Sequence, residues 1–294
     1  MLVNPAAGGA SPRTLDAVRA RLTDLAGGEF VELDAAGPAE VAAAARRGLS
    51  AGLDRLVVVG GDGLVHHVLP AVAGRAEVTL GIVALGTGND IARALGLPVD
   101  DPLAAAEIAV AGAPVAIDAM RSDAGWALSV ATAGFSVRVN ERANRLRWPR
   151  GAARYQVATL LGLPGLRPDR LVLTVDGVEH RTDATLIAVG NTRFFGGAMA
   201  ICPDADPCDG LLDVTIVGAV GRLRLLRFFP TVYSGAHRTN PAVTFLRART
   251  VALAGGADVW ADGERLGPMP LSLEAVAGAV RVAGARIGAT DRAD

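Results

Sequence analysis

The sequence predicts a parallel α/β domain followed by an antiparallel β domain, and three observations carry that prediction. The chain has 294 residues, about twice a typical domain of roughly 150 residues. Over roughly the first hundred residues, short apolar runs alternate with Ala-rich helical stretches. That pattern belongs to a parallel sheet covered on both faces. After Pro114 the signals become mainly β, and turn pairs such as Asp176-Gly177, Gly255-Gly256 and Asp262-Gly263 separate the strands.

In order, Met1 to Val3 is a short apolar strand that Asn4-Pro5 ends. Arg13–Ala26 has helical spacing and stops at Gly27-Gly28. Phe30–Leu33 reads as a strand and Ala39–Leu49 as a helix. Arg55–Val59 is a continuous apolar strand running into Gly60-Gly61-Asp62-Gly63, and Leu64–Ala73 is helical. Thr79–Leu85 is the next strand, followed by a short helix that ends at Leu95 before the stop signal Gly96, Pro98. Beyond Pro114, strands are predicted at Val115–Met120, Trp126–Ala133, Arg170–Val175, Ala184–Val189 and Leu212–Val217. Further strands fall at Val243–Ala248, Thr250–Ala254, Val259–Ala261, Leu271–Glu274 and Ala279–Val282. Helical insertions at about Val137–Leu161 and Arg222–Tyr233 interrupt them. The boundary therefore falls at 114/115, with a cleft between the two units.

Composition narrows the function. The formal net charge is -1, so no global basic field draws nucleic acid. Cys202 and Cys208 are too few for a disulfide framework and fit no common zinc spacing, which leaves ordinary thiols in a reducing cytosol. No apolar run of about 18 residues escapes charge or turn residues; Val220–Tyr233 carries Arg222, Arg224 and Arg227. The start lacks the basic and apolar regions of a signal peptide. A cytoplasmic protein is expected, one that visits a membrane rather than spans it if its substrate is a lipid.

Two strand ends carry the chemistry. In Gly60-Gly61-Asp62-Gly63 the glycines let phosphate oxygens approach backbone N–H groups. Asp62 would repel phosphates unless a cation intervened, which suggests a Mg²⁺–nucleotide site. The alternative is a plain turn with Asp62 capping its helix. Gly86-Thr87-Gly88-Asn89-Asp90 is a second such turn. Asn89 or Asp90 would cap the following helix, whose N–H groups make an anion site; capping alone is the plainer reading. Ile91 stands where a Rossmann fingerprint needs glycine, and no Walker-type phosphate loop is present. Far downstream, Asp262-Gly263-Glu264 reads as a hairpin turn. Its two carboxylates could also divide labour, one accepting a proton and one holding metal or water.

Asn4-Pro5-Ala6-Ala7-Gly8, the two glycine turns and Asp262-Gly263-Glu264 together resemble the signature series of the diacylglycerol kinase catalytic family. Val189-Gly190-Asn191, Phe194-Phe195-Gly196-Gly197, Pro203-Asp204-Ala205 and Asp209-Gly210-Leu211-Leu212-Asp213 extend the likeness in order over nearly the whole chain. The resemblance implies a three-layer α/β domain like those of phosphofructokinase and NAD kinase, over 1–114 with a C-terminal return at about 284–294. An antiparallel β-sandwich lipid domain would follow over 115–283. It implies ATP and Mg²⁺ in the cleft and phosphoryl transfer to a lipid hydroxyl. Asn4, Pro5, Gly60, Gly61, Asp62, Gly63, Gly86, Thr87 and Asn89 would line the nucleotide. Asp62, Asp90, Asp118 and Glu264 would form the carboxylate and water network around Mg²⁺. Asp262 would be the general base, its loss sparing the fold, and Asp209 and Asp213 would hold a structural Mg²⁺.

Gly9 stands where many relatives carry Lys, Leu64 where Thr is usual, and His66-His67 where Asn-Glu is common. Gly9 and Leu64 favour the rival reading of a catalytically silent lipid- or nucleotide-binding member; NAD kinase is the rival enzyme. For the two histidines the plain expectation is one exposed and one half-buried. Arg142, Arg145, Arg147, Trp148, Arg150, Arg154 and Tyr155 make a basic-aromatic cluster suited to transient contact with the inner face of a membrane. Base rates of symmetric assembly leave a homodimer open.

Overall fold

The computed structural model describes residues 1–3, 11–27, 30–146, 148, 152–256 and 258–287. Its first unit runs β1 (Leu2–Val3), α1 (Pro12–Leu25), α2 (Pro38–Ser50), β2 (Arg55–Gly60), α3 (Asp62–Val72), β3 (Thr79–Ala84), α4 (Asp90–Ala94), α5 (Pro102–Ala111). β1, β2 and β3 pair in parallel. Alternate residues of β2 face opposite layers. Leu56 and Val58 pack with residues of α2 and α3, while Val57 and Val59 pack with Val18 and Leu22 of α1 and Ala105 and Ala109 of α5. Burial on both faces is why these strands are continuous apolar runs.

Local chemistry starts the helices. Ser11 Oγ accepts from the N–H of Thr14, and Pro12 follows at the first helical position. Asp101 and Pro102 do the same for α5, a helix absent from the sequence reading. Phe30–Leu33 is not a strand. The amino group of Met1 donates to Val31 O at 2.6 Å and the N–H of Leu33 donates to Met1 O, but the two-residue β1 supports no longer ladder.

The second unit continues with β4 (Pro114–Ser122), β5 (Gly125–Ala127), β6 (Val130–Gly134), α6 (Phe135–Arg145), α7 (Ala152–Gly162), β7 (Asp169–Val175) and β8 (Val178–Gly190). Then come β9 (Leu212–Gly218), α8 (Arg222–Tyr233), β10 (Val243–Ala248), β11 (Thr250–Ala254), β12 (Asp258–Ala261), β13 (Glu264–Pro268) and β14 (Leu271–Ala283). The pairings among these strands are antiparallel. Leu173, Ile187, Val189, Val214, Val251 and Leu273 build their shared core. Val139 of α6, Ala158 of α7 and Leu225 and Phe228 of α8 cover another face.

Three strand expectations change. Trp126–Ala133 is two strands broken at Leu128-Ser129, and β13 was hidden by its Gly267-Pro268 ending. The last two predicted strands are one, β14, irregular between Val276 and Val280. β14 joins the two units. Its first part pairs with β11, and Arg281 and Val282 pair in parallel with Thr79 and Leu80 of β3. The chain thus returns to the first sheet by 281, ahead of the expected 284. Ala285 and Ile287 still pack on that core, and 288–294 lie outside the described residues.

α5 lies so close to β3 that a Cβ at Gly81 would stand 2.6 Å from Ala109 O and 2.9 Å from Ala109 Cβ. Gly81→Ala is expected to destabilise the protein by about 1–3 kcal/mol through overpacking, read as a lower urea midpoint with unchanged slope.

Candidate active site

Two glycine turns leave the first sheet side by side. β2 and β3 are adjacent with Gly60 opposite Ala84, so the turns that follow meet. A Cβ on Gly86 would lie 2.4 Å from the Cα of Gly61; only glycine permits this approach.

The carboxylates in these turns act across loops. Asp62 Oδ2 and Oδ1 accept from the N–H groups of Asp90 and Ile91, each at 3.0 Å. Asp62 therefore caps α4, not its own helix, and occupies the N–H groups expected to receive an anion. Asn89, with φ 55°, turns its Oδ1 back to the N–H of Gly86. Asp90 reaches the other unit, accepting from the N–H groups of Gly197 at 2.9 Å and Ala198 at 2.6 Å. Asn89 holds the N-cap position of α4, as the sequence suggested, but its side chain makes no capping bond there.

The third turn comes from the second unit. Asp262 and Gly263 both have positive φ, 55° and 83°, the pattern of a tight hairpin between β12 and β13. β12 pairs with β6, Ala261 opposite Ala131. That register aims Asp262 at the break between β5 and β6. Its fully buried carboxylate accepts from the N–H groups of Leu128 and Ser129 and from Ser129 Oγ at 2.6 Å. These bonds are why Trp126–Ala133 cannot continue as one strand. Oδ2 also meets His66 Nδ1 of α3 at 3.0 Å; a carboxylate partner dictates Nδ1–H as the donor. Desolvation works against both charges. The hydrogen bond and the charges of Asp262 and Glu264 nevertheless leave His66 raised, and His66 with the Ser129 donors leaves Asp262 lowered.

All three turns line one crevice of about 670 Å³. It brings together Gly61, Asp62, Gly63, Gly86, Thr87, Asp90, Asp262 and Glu264 from the predicted set. Gly60 stays in β2, and Asn4 and Pro5 lie outside the described residues, although Val3 lines the crevice.

Residues 1–122 match the model of the diacylglycerol kinase catalytic domain, and 129–284 match that of the YegS C-terminal NAD kinase beta sandwich-like domain. The chain belongs to the diacylglycerol kinase catalytic family. A "Diacylglycerol kinase" of Mycobacterium tuberculosis H37Rv is 43% identical over 98% of this chain and 95% of that protein. A diacylglycerol kinase structure from Bacillus anthracis Sterne shares the fold with TM-score 0.75 at 22% identity, over 96% of this chain and 95% of that one. An NAD kinase from Archaeoglobus fulgidus, solved in complex with ATP, shares it more loosely, with TM-score 0.52 at 14% identity over 96% and 91%. Among the described residues of this kinase-family chain, no helix is long and apolar enough to cross a membrane.

Two family expectations do not fit. Asp118 does not line the crevice. Its carboxylate is spent on the N–H groups of Gly210 at 2.7 Å and Gly278 at 2.8 Å, pinning the loop before β9 and the irregular part of β14 to β4. Asp209 and Asp213 do approach one another, but the cation between them is Arg247 of β10, paired with both. A guanidinium already there leaves no fit for a structural Mg²⁺.

The sequence reading missed His66 as the partner of Asp262, as well as Arg154 and Asn191. Arg154, assigned to the membrane cluster, lines the crevice. Arg147, Arg150 and the side chain of Tyr155 are not described, and Trp148 is exposed. The buried amide of Asn191 donates to Asp118 O and Leu128 O, holding the β4–β6 junction.

Desolvation first, then the charges of Asp90 and Asp262, push the Asp62 carboxyl up to about 7 despite its two N–H donors. The folded kinase therefore keeps a proton that the unfolded chain loses near pH 4, so Asp62 erodes stability as pH rises from about 4 to about 7. Asp62→Asn is expected to shrink the fall in urea midpoint between pH 5 and pH 8. An unchanged difference would show that Asp62 ionises freely.

Proposed function

We propose that the chain is an ATP- and Mg²⁺-dependent lipid kinase that transfers the γ-phosphoryl group to a hydroxyl of a diacylglycerol-like lipid. The observation that carries this reading is the meeting of turns 60–63, 86–90 and 262–264, remote in sequence, around one crevice. Phosphoryl transfer needs positioning and charge neutralisation more than covalent chemistry; these turns supply the positioning, and their carboxylates a place for a neutralising cation. The touching glycine turns expose backbone for phosphate oxygens. The chain has no lysine, so Arg154, the guanidinium lining the crevice among the described residues, is left to face the triphosphate. The fold-related NAD kinase holds ATP.

Mg²⁺ fits the residues present. Among the described residues no cluster of three or more His, Cys, Asp or Glu side chains makes a protein-only cage. Mg²⁺ characteristically takes one or two carboxylates and completes its shell with phosphate oxygens and water. Asp62 and Glu264 would hold it, and it would neutralise phosphate charge. Burial raises the Asp62 carboxyl most, and the charges of Asp90 and Asp262 add a repulsion of the kind a divalent cation relieves.

Asp262 takes the proton of the acceptor hydroxyl. At rest its four lone-pair sites face four donors and its pKa is lowered, so it is a weak base. Oδ2, where His66 is the side-chain donor, is the oxygen that can exchange a partner for the hydroxyl. Such base catalysis contributes about 10²–10⁴-fold. Because this carboxylate also holds the β5–β6 break, Asp262→Ala would not spare the fold; Asp262→Asn, a residue at ease with positive φ, is the cleaner probe. The name of the Mycobacterium tuberculosis relative supports diacylglycerol as the acceptor. So does an apolar pocket that shares Asn140, Phe195 and Gly196 with the crevice.

Incubation with γ-labelled ATP, Mg²⁺ and either diacylglycerol or NAD, followed by thin-layer separation, tests the reading. Label is expected in the lipid, cut about 10²–10⁴-fold by Asp262→Asn and less by Glu264→Gln, whose loss higher Mg²⁺ partly restores. Label in NAD alone, or in neither acceptor, would overturn it in favour of an NAD kinase or a silent binder. Arg154→Ala is expected to raise the KM for ATP about tenfold with kcat largely kept, the mark of a lost phosphate contact.

A further inference from the structure

α8 presents an apolar and basic outer face with no partner among the described residues. Leu225, Phe228 and Val232 point inward, while Leu223, Leu226, Arg227 and Pro230 recur on the outer side at helical spacing. Leu223 is 76% exposed and Leu226 40%. Beside them the end of α7 exposes Leu160 and Leu161, at 55% and 49%. The two helices are neighbours: Arg222 donates to Pro164 O, just beyond α7, at 2.6 Å. Exposed leucines grouped on adjoining helices mark a contact surface rather than ordinary scatter.

Charge identifies what that surface contacts. From Val214 to Ala257 the chain contains no Asp or Glu. Within this stretch Arg238 is neutralised by Asp204, and Arg247 by Asp209 and Asp213. Arg222, Arg224 and Arg227 carry no ion pair among the described residues, and all three are exposed. Leucines interleaved with unpaired arginines on one helix face suit a bilayer with anionic headgroups: the leucines enter the acyl boundary and the guanidinium groups stay at headgroup level.

The pocket under this face adds a second reason. Phe135, Val139, Leu186, Met199, Leu225 and Phe228 line it. It lies between the exposed face of α8 and the crevice, and Phe195 and Gly196 belong to both cavities. At about 60 Å³ it holds the end of an acyl chain, not a whole one.

We propose that α8 and the end of α7 form the face with which this protein docks on an anionic bilayer, so that a lipid acceptor passes from the membrane along the apolar pocket to the crevice. The purpose of this docking rests on the lipid-kinase reading; the docking itself is measured without turnover. Full-length protein is sedimented with vesicles of phosphatidylcholine alone or mixed with phosphatidylglycerol, with no ATP or diacylglycerol present. Binding is expected only to the anionic vesicles, and to fade with salt. Arg224→Gln with Arg227→Gln is expected to weaken it about 30-fold, and Leu223→Asp with Leu226→Asp at least as much. Both double variants should keep the parent's melting temperature and its turnover on a water-soluble short-chain diacylglycerol. Three results overturn the proposal: parental binding by both double variants, loss of binding through Trp148→Ala alone, or a leucine variant that abolishes self-association while leaving vesicle binding intact. Absent turnover by the parent on the short-chain lipid would sink the kinase reading and leave the docking result standing.

Discussion

One buried carboxylate holds the site together. Asp262 sits on a hairpin of the second unit, and its oxygens gather the backbone of Leu128 and Ser129, the Ser129 hydroxyl and the His66 ring of the first unit. A buried charge survives only with such a set of donors. The requirement acts in two directions at once. It breaks a strand to free two N–H groups, and it ties α3 to the far hairpin, which fixes one wall of the crevice against the other. Asp90 supplies a second tie of the same kind, from the glycine turns to Gly197 and Ala198.

These ties concentrate negative charge. Asp62, Asp90, Asp262 and Glu264 share one crevice, and at Asp62 and Asp90 the backbone donors do not outweigh the burial that raises both carboxyls. A fold that gathers carboxylates in this way gains little stability from them; it prepares a place where a cation and a polyphosphate improve the balance on arrival. The Asp209, Asp213 and Arg247 group differs in kind, because its positive charge is built into the chain.

Much of the first unit was legible because β2 and β3 are apolar runs that lead into glycine turns, a signal contained in half a dozen residues. α5 escaped because Ala, with Leu103, Ile108 and Val110, runs nearly all round it, leaving no polar stripe to give a period. The hairpin at Asp262-Gly263 was readable from residue type. Its destination was not, since the partners lie 133 and 196 positions away; only the resemblance to a family supplied it. Capping rules failed at Asp62 for a similar reason. They describe a side chain bonding to its own helix, whereas Asp62 caps one that begins 28 residues later. Arg154 was read with its neighbours as surface charge, because nothing local shows that α7 turns it toward the crevice.

β14 carries a consequence for biogenesis. The open side of β3 is closed by Arg281 and Val282, about two hundred residues downstream. Until that segment leaves the ribosome, the glycine-bearing sheet has a bare edge and cannot reach its final form, however early its own residues emerge. The two halves therefore mature together rather than in succession, and a nascent chain halted before β14 would expose an adhesive strand for a chaperone to shield.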